Sequence, residues 1–163
     1  MYKIGDLVVY KRDVCRIIEY KEKYFKDKDY YSLNPIYDKS LKIDVPIDST
    51  LLRDVISKEK AEDIINSIPY VDVIDVNDKM IESEYKRLIT EGGYEGLVSV
   101  IKTTYLRNND RLNSKRKISE KDENYFNTAE KILYGELAVA LDMSIEDIKD
   151  YVIKRVNEIE EKM

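Results

Sequence analysis

The stretch from Ile118 to Leu141, ISEKDENYFNTAEKILYGELAVAL, restricts what this chain can fold into more than any other. Its spacing predicts one long helix. Ser119 suits the N-cap, and Glu120, Asp122 and Glu123 put negative charge on the first turn, where the helix dipole favours it. Tyr125, Ala129, Ile132 and Leu133 fall on one face. The closing run Leu137-Ala138-Val139-Ala140-Leu141 is apolar on every side, and such a helix end is stable only when other helices enclose it. The C-terminal part of the chain is therefore expected to be a compact helical domain. The stretch carries no chemistry of its own.

The N-terminal third follows a different period. Lys3–Tyr10 and Val14–Tyr20 are rich in β-branched and aromatic residues and read as strands, separated by the polar break Lys11-Arg12-Asp13. Lys21 to Asp29 reads as a charged turn, Asp29–Tyr37 as a third strand, Leu41–Pro46 as a fourth and Leu51–Ile56 as a short fifth. Short strands at this spacing suggest a small barrel or curled sheet over residues 1–56. Ser57 then caps a helix over 58–68 that Pro69 stops. An extended connector, Tyr70–Val76, leads to a helix over 78–91 with Ile81, Tyr85, Leu88 and Ile89 inward. Gly92-Gly93 breaks the chain, and a further helix runs from Tyr94 to about Arg111 with Leu97, Ile101 and Tyr105 inward. Leu112–Lys117 is a basic loop before the long helix. Ser144 caps a last helix whose stripe is Ile145, Ile148, Val152, Val156 and Ile159. The fold class expected is α+β, with a β-domain at 1–56 and a helical domain at 57–163.

The residue inventory narrows the chemistry. The chain of 163 residues has no histidine and a single cysteine, Cys15, in an apolar strand pattern. The commonest general base and metal ligand is absent, and no thiolate cluster can hold zinc. No P-loop, GxGxxG or GxSxG occurs. A non-enzymatic protein without cofactor or metal is expected. No apolar run approaches the roughly eighteen residues of a membrane span, and no signal peptide opens the chain, so a cytoplasmic protein with no membrane contact is expected.

Charge is unevenly placed. Residues 1–60 hold 13 Lys+Arg against 11 Asp+Glu, whereas residues 61–163 hold 15 against 22. A basic cluster inside that acidic half stands out: Lys102, Arg107, Arg111, Lys115, Arg116 and Lys117, with Asp110 the one acid between its ends. Such a patch is the footprint of phosphate contact, and it also fits a solvated face balancing nearby acids. Lys86 and Arg87 add two cations on the 78–91 helix. In the β-domain, Leu41, Ile43 and Val45 alternate with Lys42 and Asp44. Pro46 cannot donate a ladder hydrogen bond, which favours a sheet edge. An open edge can accept a partner's strand, or can simply be an edge guarded by Lys42 and Asp44.

Four runs together resemble the CarD family of bacterial transcription regulators, also called CdnL. They are Lys-Ile-Gly-Asp-Leu-Val-Val-Tyr at 3–10, Leu-Lys-Ile-Asp-Val-Pro at 41–46, Ser-Glu-Tyr-Lys at 83–86, and Ala-Glu-Lys-Ile-Leu-Tyr-Gly-Glu-Leu-Ala at 129–138. The N-terminal module also resembles the polymerase-interacting domain of the transcription-repair coupling factor. The resemblance implies a Tudor-like β-domain that docks on the RNA polymerase β subunit. It also implies a helical domain that contacts promoter DNA at the upstream edge of the bubble, so that the lifetime of the open complex changes. It implies no enzymatic activity and no required cofactor, and a monomer is expected.

Carried over residue by residue, the polymerase contact falls on Leu41, Lys42, Ile43, Asp44 and Val45, and Lys86 matches a DNA-contacting lysine. The chain departs from the family pattern in three places. Lys11-Arg12-Asp13-Val14 stands where many members read Pro-x-His-Gly, Asp44 stands where a basic residue is usual, and tryptophan is absent. The family's wedge tryptophan would fall at Ile81, on the expected core stripe, with Met80 beside it as a second candidate. Two other functions fit the same residues: a nucleic-acid-binding module that needs no polymerase, and a Tudor-like peptide-binding adaptor whose helical half is structural.

Overall fold

The computed structural model describes residues 1–163 and divides into two compact units, Met1–Ile56 and Ser57–Met163. The chain is mixed α+β, with a five-stranded antiparallel sheet in the first unit and five α-helices in the second.

In the first unit, β1 (Leu7–Tyr10), β2 (Asp13–Phe25), β3 (Lys28–Pro35), β4 (Ile43–Pro46) and β5 (Leu52–Asp54) form one sheet in the order β4-β3-β2-β1-β5. The sheet is open, with β4 and β5 as its two edges. Alternation sends Val8, Cys15, Ile17, Tyr31, Leu33 and Val45 to one face, where they form the core. Tyr2 and Tyr20 close over Tyr31 edge-on, with ring centroids 6.1 and 5.8 Å away. The β2–β3 register shifts between Ile17 and Glu19 and again between Lys21 and Phe25, and such bulges bend the sheet.

The expected charged turn over 21–29 is mostly strand. β2 continues to Phe25, and the reversal is the two-residue loop Lys26-Asp27, both with positive φ (49° and 61°). Asp29 makes this possible. Its carboxylate accepts the Lys23 N–H at 2.9 Å, where φ is +45°, and the Tyr20 hydroxyl on its other oxygen. Leu41 and Lys42 lie before β4 rather than within it.

The helical unit comprises α1 (Lys58–Ser67), α2 (Asp78–Glu91), α3 (Gly93–Asn113), α4 (Glu120–Ala140) and α5 (Ile145–Glu161). Ser57, Asn77, Ser119 and Ser144 each accept a first-turn N–H with their side chains. A 3₁₀ turn at Ile68–Tyr70, with Pro69 inside it, ends α1. α4 is the central element, packed against α3, α5 and α1, with Ala129, Leu133, Leu137, Ala138 and Ala140 buried. At the α2–α3 corner, Gly93 takes φ +63°, and a Cβ on Gly96 would lie 2.7 Å from the Leu88 carbonyl oxygen.

The α3 stripe differs from expectation. Leu97 is buried and Ile101 half-buried, but Tyr105 is 59% exposed. The helix instead turns Val100, Thr103, Thr104 and Asn108 inward, because its C-terminal half faces a polar network rather than an apolar core. Ile145 at the start of α5 is likewise exposed, while Ile148 and Val152 are buried. The connector over 71–77 is pinned to α3: Lys102 Nζ donates to the Val71 carbonyl at 2.8 Å, and the Ile74 N–H donates to Thr103 Oγ1 at 2.9 Å.

Candidate functional site

The basic cluster separates into two groups once its partners are followed. Lys102 is committed to the connector, and burial pushes its ammonium below the ordinary lysine range. Arg107 and Arg111 lie four apart on α3 and reach the same acceptor. Arg107 Nε donates to Asp122 Oδ2 at 3.0 Å, and Arg111 Nη1 donates to that oxygen at 2.7 Å. Arg107 Nη1 also reaches Asp78 Oδ1, 3.0 Å away at the start of α2. Both guanidiniums are held by acids of their own unit, which is the second of the two readings the sequence allows, a basic face balancing nearby acids. An acid eleven and fifteen residues further along the chain carries no local signal of its pairing.

Asp122 is the residue that sequence reasoning placed only as a first-turn charge. It is buried within the first turn of α4. Its Oδ1 accepts the Tyr85 hydroxyl at 2.9 Å, and its N–H donates to Ser119 Oγ at 3.2 Å. Asn108 on α3 extends the network, accepting the Ser119 N–H at 2.8 Å and donating to the Ser119 carbonyl at 3.3 Å. One carboxylate thus ties α2, α3 and α4 together. Burial alone would push its pKa up, but the hydrogen bonds from Arg111, Arg107 and Tyr85 outweigh burial and hold it below the usual carboxylate range.

Lys115, Arg116 and Lys117 behave differently. All three are exposed, and no ion pair holds them. Their loop is nonetheless fixed. Lys115 takes φ +58°, its N–H donates to the Leu112 carbonyl at 3.0 Å, and the Arg116 N–H donates to the Arg111 carbonyl at 2.8 Å. That is a Schellman closure with a lysine in the left-handed position usually given to glycine. Three cations therefore stand on an ordered turn with nothing from their own unit neutralising them.

On α2, Lys86 sits 3.9 Å from Glu82, and Arg87 holds Glu84 with two hydrogen bonds, one of 3.1 Å from Nε. Both pairs lie at the surface, where solvent screening leaves such pairs little net effect. Ile81 is only 5% exposed and packs in the core with Tyr85, whereas Met80 is 54% exposed. A wedge at Ile81 would have to leave the core, and Met80 is the apolar side chain that α2 presents outward. Nowhere do His, Cys, Asp and Glu side chains group to hold a metal ion.

No protein-family model matches the chain, and no curated protein matches it at a significant level. No helix is long and apolar enough to cross a membrane.

The second candidate surface is the edge strand β4. Val45 is buried and Ile43 half-buried, and both face the unit's own core. Of the alternating apolar residues only Leu41, outside the strand, is exposed. What the edge does offer is backbone. The Ile47 N–H donates to the Asp29 carbonyl on β3. By alternation Val45 and Ile43 also turn their N–H groups to β3, and Asp44 turns its N–H outward. Pro46, the next outward position, has no N–H to give.

The side chains of Asp44 and Lys42 lie on the face opposite the core. Asp44 accepts from Ser32 Oγ at 2.5 Å and from Lys21 Nζ at 3.2 Å, and the Ser32 hydrogen bond first, then Lys21, holds its carboxyl below the usual range. Lys42 pairs with Glu19 at 3.2 Å.

Proposed function

We propose that this protein is a non-enzymatic, cytoplasmic transcription regulator. Its β unit, a Tudor-like module in this reading, docks on the RNA polymerase β subunit through the β4 edge. Its helical unit contacts promoter DNA at the upstream edge of the bubble. The observation that carries the reading is the Lys115–Lys117 turn. In an acidic half of the chain, three adjacent cations are left unneutralised on an ordered loop, while their neighbours Arg107 and Arg111 are consumed by Asp122. An arrangement of this kind suits a polyanion supplied from outside. The resemblance of the four sequence runs to the CarD family supplies the polymerase half of the reading, and the open β4 edge is compatible with strand addition.

Two modest contacts on one chain reinforce each other through effective concentration. Free DNA binds an acidic protein weakly, so the polymerase contact would confine the protein to promoters. Such a regulator acts by binding one state of the promoter complex better than another.

The test uses purified polymerase and a promoter fragment. Dissociation of the open complex is timed with and without the protein, alongside direct binding of the protein to the isolated β subunit. A changed lifetime together with β-subunit binding supports the proposal. Binding to DNA without any affinity for polymerase would replace it with a stand-alone nucleic-acid module.

A further inference from the structure

Beside the Lys115–Lys117 turn, α3 and α4 leave a cleft of about 220 Å³, lined by Tyr105, Asn109, Leu112, Ile118, Glu123 and Phe126 among others. Tyr105 and Leu112 lie one heptad apart on α3, and Asn109 between them shares their face. Ile118 precedes the α4 cap, and Glu123 and Phe126 follow it one turn apart. The three cations sit on the loop that joins Leu112 to Ile118, so none is more than three residues from a cleft wall.

We propose that this cleft takes one unpaired base of a single-stranded nucleic acid, with its flanking phosphates on Lys115, Arg116 and Lys117. The inference rests on the reading that the helical unit contacts nucleic acid and names which form it prefers. Size decides first. Cofactor and drug-sized sites occupy about 300–1,000 Å³, so this cleft is too small for such a ligand and suits a single flat ring system. Tyr105 and Phe126 bring aromatic surface to the site, and every base has a π face that can stack there whatever its sequence.

The polar groups decide next. The lining is mostly apolar, and Glu123 and Asn109 are its polar members, a carboxylate and an amide able to meet the polar edge of a base at the cleft border. An acidic peptide would suit the cations but would leave the cleft beside Tyr105 and Phe126 without a flat ring to stack. A purely apolar segment would leave the cations unused. In a duplex the bases are paired and stacked, and only an unpaired base can enter such a cleft.

The experiment uses the full chain and fluorescence anisotropy with one labelled oligonucleotide, as single strand and as duplex, at matched salt. The single strand should bind more tightly. Tyr105 is exposed, so Tyr105→Ala should leave the melting temperature unchanged. It should weaken single-strand binding by roughly tenfold, as loss of one stacked base does, with duplex binding unaltered. A 2-aminopurine placed in the single strand should be quenched by the wild-type chain and less so by the variant. The triple variant Lys115→Gln, Arg116→Gln, Lys117→Gln should weaken both nucleic-acid forms.

If the triple variant loses binding while Tyr105→Ala does not, the surface is a phosphate patch only. The base site is then overturned and the nucleic-acid reading survives. If Tyr105→Ala weakens polymerase binding and leaves single-strand affinity unchanged, the cleft receives a protein side chain and the proposal fails. Absence of binding to either nucleic-acid form even at low salt, where phosphate contacts are strongest, overturns both.

Discussion

Tyr85 and Asp122 are 37 residues apart and meet at 2.9 Å, hydroxyl to carboxylate, with both residues buried. The pair fixes α2 against α4, and Arg107 and Arg111 bring α3 to the same carboxylate. Removing the acid would leave the part-buried Arg111 with Asn108 alone and the part-buried Arg107 with only the exposed Asp78. Breaking a buried pair in this way costs about 3–5 kcal/mol. Asp122→Ala should therefore lower stability by that order in urea denaturation. Tyr85→Phe, which removes one hydrogen bond to a charged acceptor, should cost about 1.5–3 kcal/mol. A variant Asp122→Ala as stable as the wild type would show that the network contributes nothing net.

The same carboxylate gives a pH signature. Its pKa is held low in the folded state, whereas an unfolded aspartate titrates near about 3.9. Its stabilisation is therefore complete above the unfolded value and is lost as pH falls through the lower, folded one. The stability gap between wild type and Asp122→Asn should be constant from neutral pH to about 5 and shrink below about 4. Denaturation curves over that range check it, and a gap unchanged at the acid end would mean that the carboxylate does not carry the effect.

The two groups of cations should separate by assay. Arg107→Gln with Arg111→Gln should lower the melting temperature, because it strips Asp122 of its two cationic partners. The triple glutamine variant at 115–117 should melt as the wild type does. It should also flatten the slope of log affinity for duplex DNA against log salt by up to about 2.7, or about 0.9 for each phosphate no longer neutralised. Equal salt slopes for triple variant and wild type would assign the turn to solubility.

How far the sequence could be read follows from which signals are local. Caps, glycine breaks and apolar stripes are written within a few residues, and Ser57, Ser119 and Ser144 all stand where the helices begin. The α+β class was legible for that reason. The β2–β3 hairpin was not, because Lys26-Asp27 lacks the Asn-Gly or Gly-Gly signature and depends on Asp29 to hold the bulge. The basic cluster was ambiguous for the same kind of reason. Spacing put Arg107 and Arg111 on one face, but whether that face met solvent or Asp122 was decided by the packing of α3 on α4. Tyr105 continues the apolar period of Leu97 and Ile101 in sequence, but past Ile101 the surroundings of the helix become polar and the side chain faces solvent.

Ile81 and Met80 are neighbours with opposite surroundings. Ile81 is in the α2 core stripe with Tyr85 and Ile89, and Met80 is exposed. Ile81→Ala should cost about 2–5 kcal/mol of stability, as for other buried aliphatics. Met80→Ala should leave the melting temperature unchanged and shorten open-complex lifetime if α2 faces the bubble. Thermal melts beside promoter lifetimes check both. An unchanged melt for Ile81→Ala would mean the residue is not held in the core.

At β4 the backbone itself makes the sharpest distinction. Ile43 turns its N–H to β3, and Asp44 turns its N–H to solvent. Proline at either position removes one donor, but the consequences differ. Ile43→Pro breaks a ladder bond inside the sheet and forces a rigid ring where Ile43 packs on the core, so the β unit should lose stability. Asp44→Pro removes the one outward donor of the strand, because Pro46 has none. It also removes the hydrogen bonds to Ser32 and Lys21, so Asp44→Ala is the needed control: it loses the same side chain and keeps the N–H. If a strand of the polymerase β subunit adds to this edge, Asp44→Ala should retain measurable β-subunit affinity. Asp44→Pro should lose a further tenfold or so, the equivalent of about 1.4 kcal/mol and within the range of one hydrogen bond. Circular dichroism melts confirm that both variants are folded. Equal affinities for the alanine and proline variants would remove strand addition at β4 from the mechanism.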